Sequence, residues 1–287
     1  MISTSILFID STVNLYSTLL ADVNSSTTEV IILEADKDGI EQITAALVER
    51  SKTNQVHILS HGSPGCIDLG NTQLSLETFD RYSPQLHHWF NTQNASLFLY
   101  GCNVAAGDAG AEFLQKLRHT TGANLAASTS LIGHTELGGN WTLDYTLGAI
   151  DPQIPIARQA LLAYPGVLTT APTIADTATQ TRSIAEDSPL TITGLSIGDP
   201  DTGETQAVTL SVAQGVLTLA SISGLTGLTG NGTSSLSFSG SVASVNAALN
   251  GMSYSPATNF SGDESLVVTV NDGDQNASLA VRSPSPQ

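Results

Sequence analysis

The chain has 287 residues, which at roughly 150 per domain predicts about two domains. Hydrophobic residues make up 40% and mean hydropathy is +0.09, enough for a buried core and against global disorder. Only 12% of residues are charged, yet 26 acids against 9 bases give a net charge of −17; such a surface repels phosphate backbones and anionic lipid and argues against nucleic-acid and membrane-surface roles.

The N-terminus, Met1-Ile-Ser-Thr-Ser-Ile-Leu-Phe-Ile-Asp10, has no basic residue before its apolar run. It reads as a first strand over residues 6–9, not as a cleavable export signal. Tyr16, Leu19, Leu20 and Val23 then recur at helical spacing, with Ser11 or Thr12 placed to cap. Residues 30–33 predict a second strand. Asp36 or Asp38 opens a helix whose apolar face is Ile40, Ile43 and Leu47. Residues 56–59 predict a third strand. A helical stretch around Leu76, Phe79, Leu86 and Trp89 is expected to break at Pro84. Residues 97–100 predict a fourth strand, a helix carrying Phe113, Leu114 and Leu117 follows, and residues 124–127 predict a fifth strand. Short apolar strands separated by helices predict an α/β domain with a mainly parallel sheet covered on both faces. No stretch of about 18 apolar residues exists to span a bilayer.

At Tyr164-Pro-Gly-Val-Leu-Thr-Thr-Ala-Pro172, Pro and Gly punctuate an expected linker, and the composition changes. Residues 1–168 hold all six His, both Cys and both Trp, with 16 acids and 7 bases; residues 169–287 hold 10 acids, two Arg and no Lys. The organisation expected is an α/β domain over 1–165, a linker over 166–172, a second domain over 173–281 and a tail over 282–287. In the second half, residues 190–195, 207–212, 215–219, 235–238 and 266–270 are short β-prone runs separated by Asp-Pro, Gly-Asn-Gly and Asn-Asp-Gly turns. Residues 242–249 predict a short helix. The set predicts one all-β sandwich of immunoglobulin-like or cadherin-like type.

Two segments of the first half run an apolar strand straight into polar groups: Val56-His-Ile-Leu-Ser-His-Gly-Ser-Pro-Gly65 and Leu97-Phe-Leu-Tyr-Gly-Cys-Asn103. Ligands gather at the carboxyl ends of strands in open α/β sheets, and one right-handed crossover separates His61 from Cys102. That places an imidazole beside a thiol. In a Cys–His dyad, His61 would draw the thiol proton and the Cys102 thiolate would attack an acyl carbon. Cys102 also stands just before a helix, whose N-terminus favours thiolate. The backbone N–H groups of Gly62 and Cys102 are candidate oxyanion donors, glycine allowing close approach. The competing reading makes both residues ordinary members of a core. A Cys66–Cys102 disulfide is a further rival, and it would remove the nucleophile.

The other polar groups carry less. His57 lies within a strand and is expected to be packed. His87, His88, His119 and His134 fall on helix or loop surfaces without zinc spacing. No glycine-rich phosphate loop is present. Asn103 either orients His61 or caps the next helix, and capping is the expectation. Asp68 and Asp108, near the motifs in sequence, either favour a basic substrate residue or are solvated loop acids, and the latter is the expectation.

Ser60-His-Gly, Leu69-Gly, Leu99-Tyr-Gly-Cys-Asn-Val-Ala105, Thr121-Gly-Ala, Ala126-Ala-Ser and Gly138-Gly-Asn-Trp-Thr-Leu143 together make the first half resemble a known family over about residues 6–150. It is the domain of unknown function that opens many very large bacterial repeat adhesins. The two site segments also resemble the paired His-Gly and Cys motifs of the caspase-like (clan CD) cysteine peptidases. That resemblance implies a caspase-like three-layer fold, with His61 as base and Cys102 as nucleophile and no cofactor for the chemistry. It also implies a polypeptide substrate, either the protein's own chain or a neighbouring adhesin. Two departures stand out: Asn140 where an acid is expected before the Trp, and Cys66 where a small residue is usual.

In the second half, Glu186-Asp187, Asp199-Pro-Asp201 with Glu204, and Asp272-Gly-Asp274 are carboxylate clusters of the kind that supplies oxygens to calcium. Asp-Pro-Asp and Asp-Gly-Asp are also ordinary turn formers. Ala185-Glu-Asp, Asp199-Pro-Asp, Gly215-Val-Leu-Thr-Leu219, Leu249-Asn-Gly-Met-Ser-Tyr-Ser-Pro256, Asn259-Phe-Ser-Gly262 and Val268-Thr-Val-Asn-Asp-Gly273 resemble one bacterial cadherin-like repeat over about 171–281. Such repeats hold calcium at their junctions, and with one repeat a junction site is expected to be incomplete. The combined expectation is an extracellular or cell-surface adhesin-type protein carrying a cysteine endopeptidase domain, exported by a route other than a cleavable N-terminal signal. The alternatives are a non-enzymatic adhesion protein whose first domain docks or caps, and a calcium-stiffened spacer. No nucleic acid or membrane insertion is expected.

Overall fold

The structure, a computed structural model, describes residues 5–20, 23–91, 94–177, 187–200, 205–273 and 276–283. It divides into two compact units, Met1–Thr170 and Ala171–Gln287.

The first unit opens with β1 (Ser5–Asp10), α1 (Tyr16–Leu20), β2 (Thr28–Leu33), α2 (Gly39–Glu49) and β3 (Gln55–Leu59). Three short strands follow, β4 (Gly62–Ser63), β5 (Cys66–Leu69) and β6 (Thr72–Ser75), which form their own antiparallel sheet. Next come α3 (Phe79–Leu86), β7 (Ser96–Tyr100), α4 (Gly107–Thr121), β8 (Asn124–Ala127), a 3-10 turn at Thr135–Leu137, β9 (Tyr145–Leu147) and α5 (Arg158–Ala163). The main sheet has the order β2-β1-β3-β7-β8-β9 and is parallel except for β9, which pairs antiparallel with β8 at the edge.

Apolar residues on alternate positions build two cores. Ile6 and Phe8 of β1 pack with Ile40, Ile43 and Leu47 of α2, Phe79 of α3 and Phe113, Leu114 and Leu117 of α4. Leu7 and Ile9 face the other way, toward Leu19 of α1 and Ala160 and Leu161 of α5. A strand buried on both faces needs helices on both sides, which gives three layers. Asp38 starts α2 as expected, its Oδ1 accepting from Ile40 N–H at 3.0 Å and Glu41 N–H at 3.1 Å.

The expected break at Pro84 does not occur: α3 runs through it to Leu86. Pro84 is the sixth residue of an eight-residue helix, so it forfeits one i→i−4 bond, and the helix ends two residues later. The small antiparallel sheet over β4, β5 and β6 was not anticipated. It comes from a polar, glycine-punctuated stretch that lacks a strong two-residue alternation.

The second unit contains β10 (Thr173–Asp176), β11 (Leu190–Ile192), β12 (Leu195–Gly198), β13 (Gln206–Ser211), β14 (Val216–Thr218), β15 (Thr226–Thr229), β16 (Ser235–Gly240), α6 (Val242–Leu249), β17 (Met252–Ser255), β18 (Glu264–Asn271) and β19 (Asn276–Ser283). Among the described residues its strands form antiparallel sheets ordered β10-β12, β11-β17-β14 and β15-β16-β13-β18-β19. Val208, Leu210, Val268 and Val270 from the largest sheet share one core with Ile192, Leu217 and Tyr254. α6 begins at its Ser241 cap, whose Oγ accepts from Ser244 N–H. No described helix of the chain is long and apolar enough to cross a membrane.

Candidate active site

β3 and β7 are adjacent and parallel, and their last paired rung is Leu59↔Tyr100. His61 and Cys102 each stand two residues past that rung, at the carboxyl ends of neighbouring strands. The loops that carry them meet through glycine. A Cβ on Gly62 would stand 2.7 Å from Val104 Cγ2 and 3.2 Å from Gly101 Cα. The His-Gly and Gly-Cys pairs are therefore packing devices, because only bare Cα atoms allow the two backbones to come this close.

That proximity aims two donors at one point. Gly62 N–H donates to the carbonyl oxygen of Leu168 at 3.0 Å, and Cys102 N–H donates to the same oxygen at 3.3 Å. These are the two groups expected from the sequence as oxyanion donors. What they hold is a carbonyl of the chain itself.

The rest of that segment is paired as a strand would be. Leu168 N–H donates to Ile132 carbonyl at 2.9 Å, His134 N–H donates to Gly166 carbonyl at 2.8 Å, and Gly133 and Val167 form an antiparallel bridge. The motif around Trp141 supports the receiving edge from behind. A Cβ on Gly139 would stand 2.7 Å from the Gly133 carbonyl carbon, and Gly133 N–H donates to Asn140 carbonyl at 3.0 Å. Trp141 Nε1–H bonds Leu161 carbonyl at 3.1 Å and its ring meets Tyr164 edge-on, which fixes the exit of α5. Asn140, found where an acid was expected, donates from Nδ2 to Ser130 Oγ at 3.0 Å.

The Cys102 side chain is fully buried and addresses the same edge. Ile132 N–H donates to its sulfur at 3.2 Å, and the thiol reaches Ile132 carbonyl at 3.5 Å. The thiol and the Leu168 N–H thus share one backbone carbonyl. The expected help from a helix N-terminus is corrected: α4 begins only at Gly107, after a turn closed by Ala106 N–H to Asn103 carbonyl. The field of a helix end fades within about a turn. Asn103 does not cap that helix either, since the N-cap is Ala106 and no side chain bonds there. Asn103 instead takes a left-handed backbone, φ 59°, and gives its N–H to Ser130 carbonyl.

His61 is buried, and its Nε2 lies 3.3 Å from the Thr12 carbonyl oxygen. A carbonyl only accepts, so the proton of this contact sits on Nε2. Asp10 sets that carbonyl in place. Its buried carboxylate accepts from Thr12 N–H at 2.9 Å, Thr12 Oγ1 at 2.7 Å and Gly70 N–H at 2.5 Å. Ser60 ties three strand ends together, its N–H on Tyr100 carbonyl and its Oγ–H on Asp68 carbonyl.

Asp68, expected as a solvated loop acid, is half-buried on β5. Burial raises its carboxyl above the usual carboxylate range, while bonds from Gln73 and Thr170 and the charge of His61 pull it back down. Asp108 is exposed in the first turn of α4. Among the described residues neither cysteine is in a disulfide; Cys66 and Cys102 are both buried. His57 is packed as expected, stacked on Phe98 at 4.3 Å, and burial lowers its pKa to about 3.

Sequence reasoning missed the Thr12 carbonyl, the receiving edge at residues 132–134 and the segment it receives. Residues 166–170 were expected to be linker, yet Gly166, Val167, Leu168, Thr169 and Thr170 are all buried in the first unit. Of the acids proposed for calcium, Glu186, Asp201, Glu204 and Asp274 lie outside the described residues. Asp187 Oδ1 accepts from Asn259 N–H at 3.0 Å and Asp199 Oδ2 from Gln206 Nε2 at 2.6 Å. Asp272 lies in a turn where Asn271 Oδ1 accepts from Gly273 N–H. Among the described residues no three His, Cys, Asp or Glu gather where they could hold a metal.

No curated protein matches this chain. A family model described as a domain of unknown function (DUF4347) matches residues 6–168, more than half of the sequence, and the chain belongs to that family.

Proposed function

We propose that the first unit is a cysteine endopeptidase of caspase-like type, with His61 as general base and Cys102 as nucleophile. The observation that carries this reading is the convergence of Gly62 N–H and Cys102 N–H on one carbonyl oxygen, at 3.0 and 3.3 Å. Two backbone donors aimed at an acyl oxygen beside a thiol are what acyl transfer needs, because they stabilise the charge that develops on that oxygen during attack. The contact of His61 Nε2 with the Thr12 carbonyl also suits the role, since it fixes the orientation of the imidazole. In this reading Asp10 and Thr12 are positioning groups: they orient the imidazole and touch no reacting atom.

The second unit fits an adhesin-type, immunoglobulin- or cadherin-like module. Its support is the antiparallel sheets that share one core. A non-enzymatic docking role for the first unit is the alternative; in it the paired donors serve only to hold the Leu168 carbonyl.

The test is covalent labelling of the full chain by a peptidyl acyloxymethyl ketone, whose carbonyl must displace that of Leu168 from the donors before the thiolate is alkylated. Labelling should map to Cys102 and slow by about 10²–10⁴-fold in His61→Ala. Equal labelling rates in wild type and His61→Ala would contradict the assignment of the base.

A further inference from the structure

The acyl group resting in the donor pair belongs to this chain. Residues 166–168 lie antiparallel against residues 132–134, with Leu168 N–H on Ile132 carbonyl and Gly166 carbonyl under His134 N–H. An extended peptide added to a sheet edge, its carbonyl delivered to a pair of N–H groups, is how a substrate strand is presented to a peptidase. Gly133 makes the approach possible: a side chain there would collide with the Gly166 carbonyl oxygen and crowd Val167 Cα.

We infer that the bond between Leu168 and Thr169 is this site's own substrate, cut in cis, so that the first unit severs itself from the second. This rests on the peptidase reading above and adds the substrate to it.

Three observations favour substrate over mere tail. The Leu168 side chain is fully buried in the apolar cluster that also contains Leu59, Tyr100 and Cys102. A pocket lined in that way selects an apolar residue on the acyl side of the bond. Both flanks of the bond are held, Val167 and Leu168 on one side and Thr169 and Thr170 on the other, all buried. The bond lies at the edge of the catalytic unit: the family match ends at Leu168, and the second unit starts at Ala171. Scission there takes only Thr169 and Thr170 from the first unit.

The chemistry balances with water as the only co-reactant. The Cys102 thiol gives its proton to the His61 imidazole, and sulfur bonds to the Leu168 carbonyl carbon. The oxyanion is held by Gly62 and Cys102 N–H. The C–N bond to Thr169 breaks, its nitrogen taking the proton from His61 and leaving as the new amino terminus. Water, deprotonated by His61, then cleaves the thioester, returning the thiol and a Leu168 carboxylate. That carboxylate remains tethered beside the donors, so the product end competes with any later peptide for the same cleft.

The experiment incubates full-length wild type and Cys102→Ala, each with and without calcium, and reads intact masses and the amino terminus of any second fragment. A Leu-terminated acyloxymethyl ketone is added in parallel. The expected result is a wild-type cut giving a fragment that begins at Thr169, with Cys102→Ala intact. Leu168→Met should still be cut, and Leu168→Asp should not, although its circular dichroism spectrum stays folded. If Leu168→Asp unfolds, the wild-type fragment and the Leu168→Met rate decide alone. A Cys102-dependent cut elsewhere overturns the assignment of the bond but spares the peptidase. No cut with Cys102 labelled by the ketone also overturns it, and makes residues 166–168 an inhibitory strand. Neither cut nor labelling overturns the inference and the peptidase reading together.

Discussion

Gly62 and Gly101 lie back to back, close enough that a Cβ on Gly62 would stand 3.2 Å from Gly101 Cα. This contact brings the ends of β3 and β7 together and turns two unrelated backbone N–H groups into a pair. Gly62→Ala should therefore separate the donors. It should cost about 1–3 kcal/mol of stability by overpacking and slow acyl transfer to Cys102 by more than that loss of folded protein explains. The nearest obstacle is Val104 Cγ2 at 2.7 Å, a side-chain methyl. Adding Val104→Ala should restore stability before it restores rate, as thermal unfolding and ketone-labelling kinetics would show.

Gly133 makes a complementary prediction. A side chain at this position opposes the Gly166 carbonyl, and its φ of 138° disfavours any other residue. Gly133→Ala should push residues 166–168 off the edge, slowing any cut after Leu168 while exposing Cys102 to small alkylating reagents. Unchanged cutting and an unchanged alkylation rate would mean that the strand pairing does not hold the segment.

Some of this site was readable from the sequence and some was not. The strand ends that bear His61 and Cys102 are apolar runs stopped by polar residues and glycine. Period and punctuation alone make them neighbours across one crossover. The helix at Val242–Leu249 and the Asp38 cap were legible for the same local reasons. The Thr12 carbonyl was not, because a backbone oxygen carries no residue-type signal; only the buried Asp10 that shapes its loop hints at it. The segment at 166–170 was misread because Pro165 and Gly166 look alike in a linker and in a strand docked against an edge more than thirty residues away in sequence. Asp68 was misread because nothing local reveals that β5 folds back against His61 carbonyl.

The Asp10 carboxylate should matter through His61. Asp10→Ala removes the acceptor for Thr12 N–H, Thr12 Oγ1 and Gly70 N–H. These donors are exposed or half-buried, so leaving them to water costs less than the about 1–3 kcal/mol of a fully buried donor. The loosened Thr12 carbonyl should also lower the Cys102 labelling rate by roughly tenfold or more through misplacement of the imidazole. Asp10→Asn, which keeps an acceptor oxygen, should recover most of both. A stability loss with no change in labelling rate would leave Asp10 a purely structural residue.

His57 makes the first unit acid-sensitive. Burial lowers its pKa from 6.5 to about 3, so between those values the unfolded chain binds a proton that the folded one does not. Stability from this group is complete above about pH 6.5, falls as pH drops through the window and stops falling near pH 3. The total is on the order of a few kcal/mol. His57→Phe retains stacking on Phe98 and should flatten that part of the pH profile in urea unfolding.

In the second unit, Glu264 is buried and accepts from the N–H groups of Ala213, Gln214 and Ser265. Glu264→Ala strands those donors and should destabilise the unit by about 2–4 kcal/mol. Glu264→Gln, which keeps one acceptor, should lose less in the same thermal unfolding measurement.

The central claim is that Cys102 takes the Leu168 acyl group. Hydroxylamine attacks thioesters and converts the released acyl group to a hydroxamate. Full-length protein incubated with hydroxylamine should yield a first fragment ending in Leu168 hydroxamate, in place of part of the carboxylate found without it. Cys102→Ala should yield neither. A Leu168 carboxylate that persists unchanged with hydroxylamine, or a wild-type chain still joined to Thr169, would contradict the account.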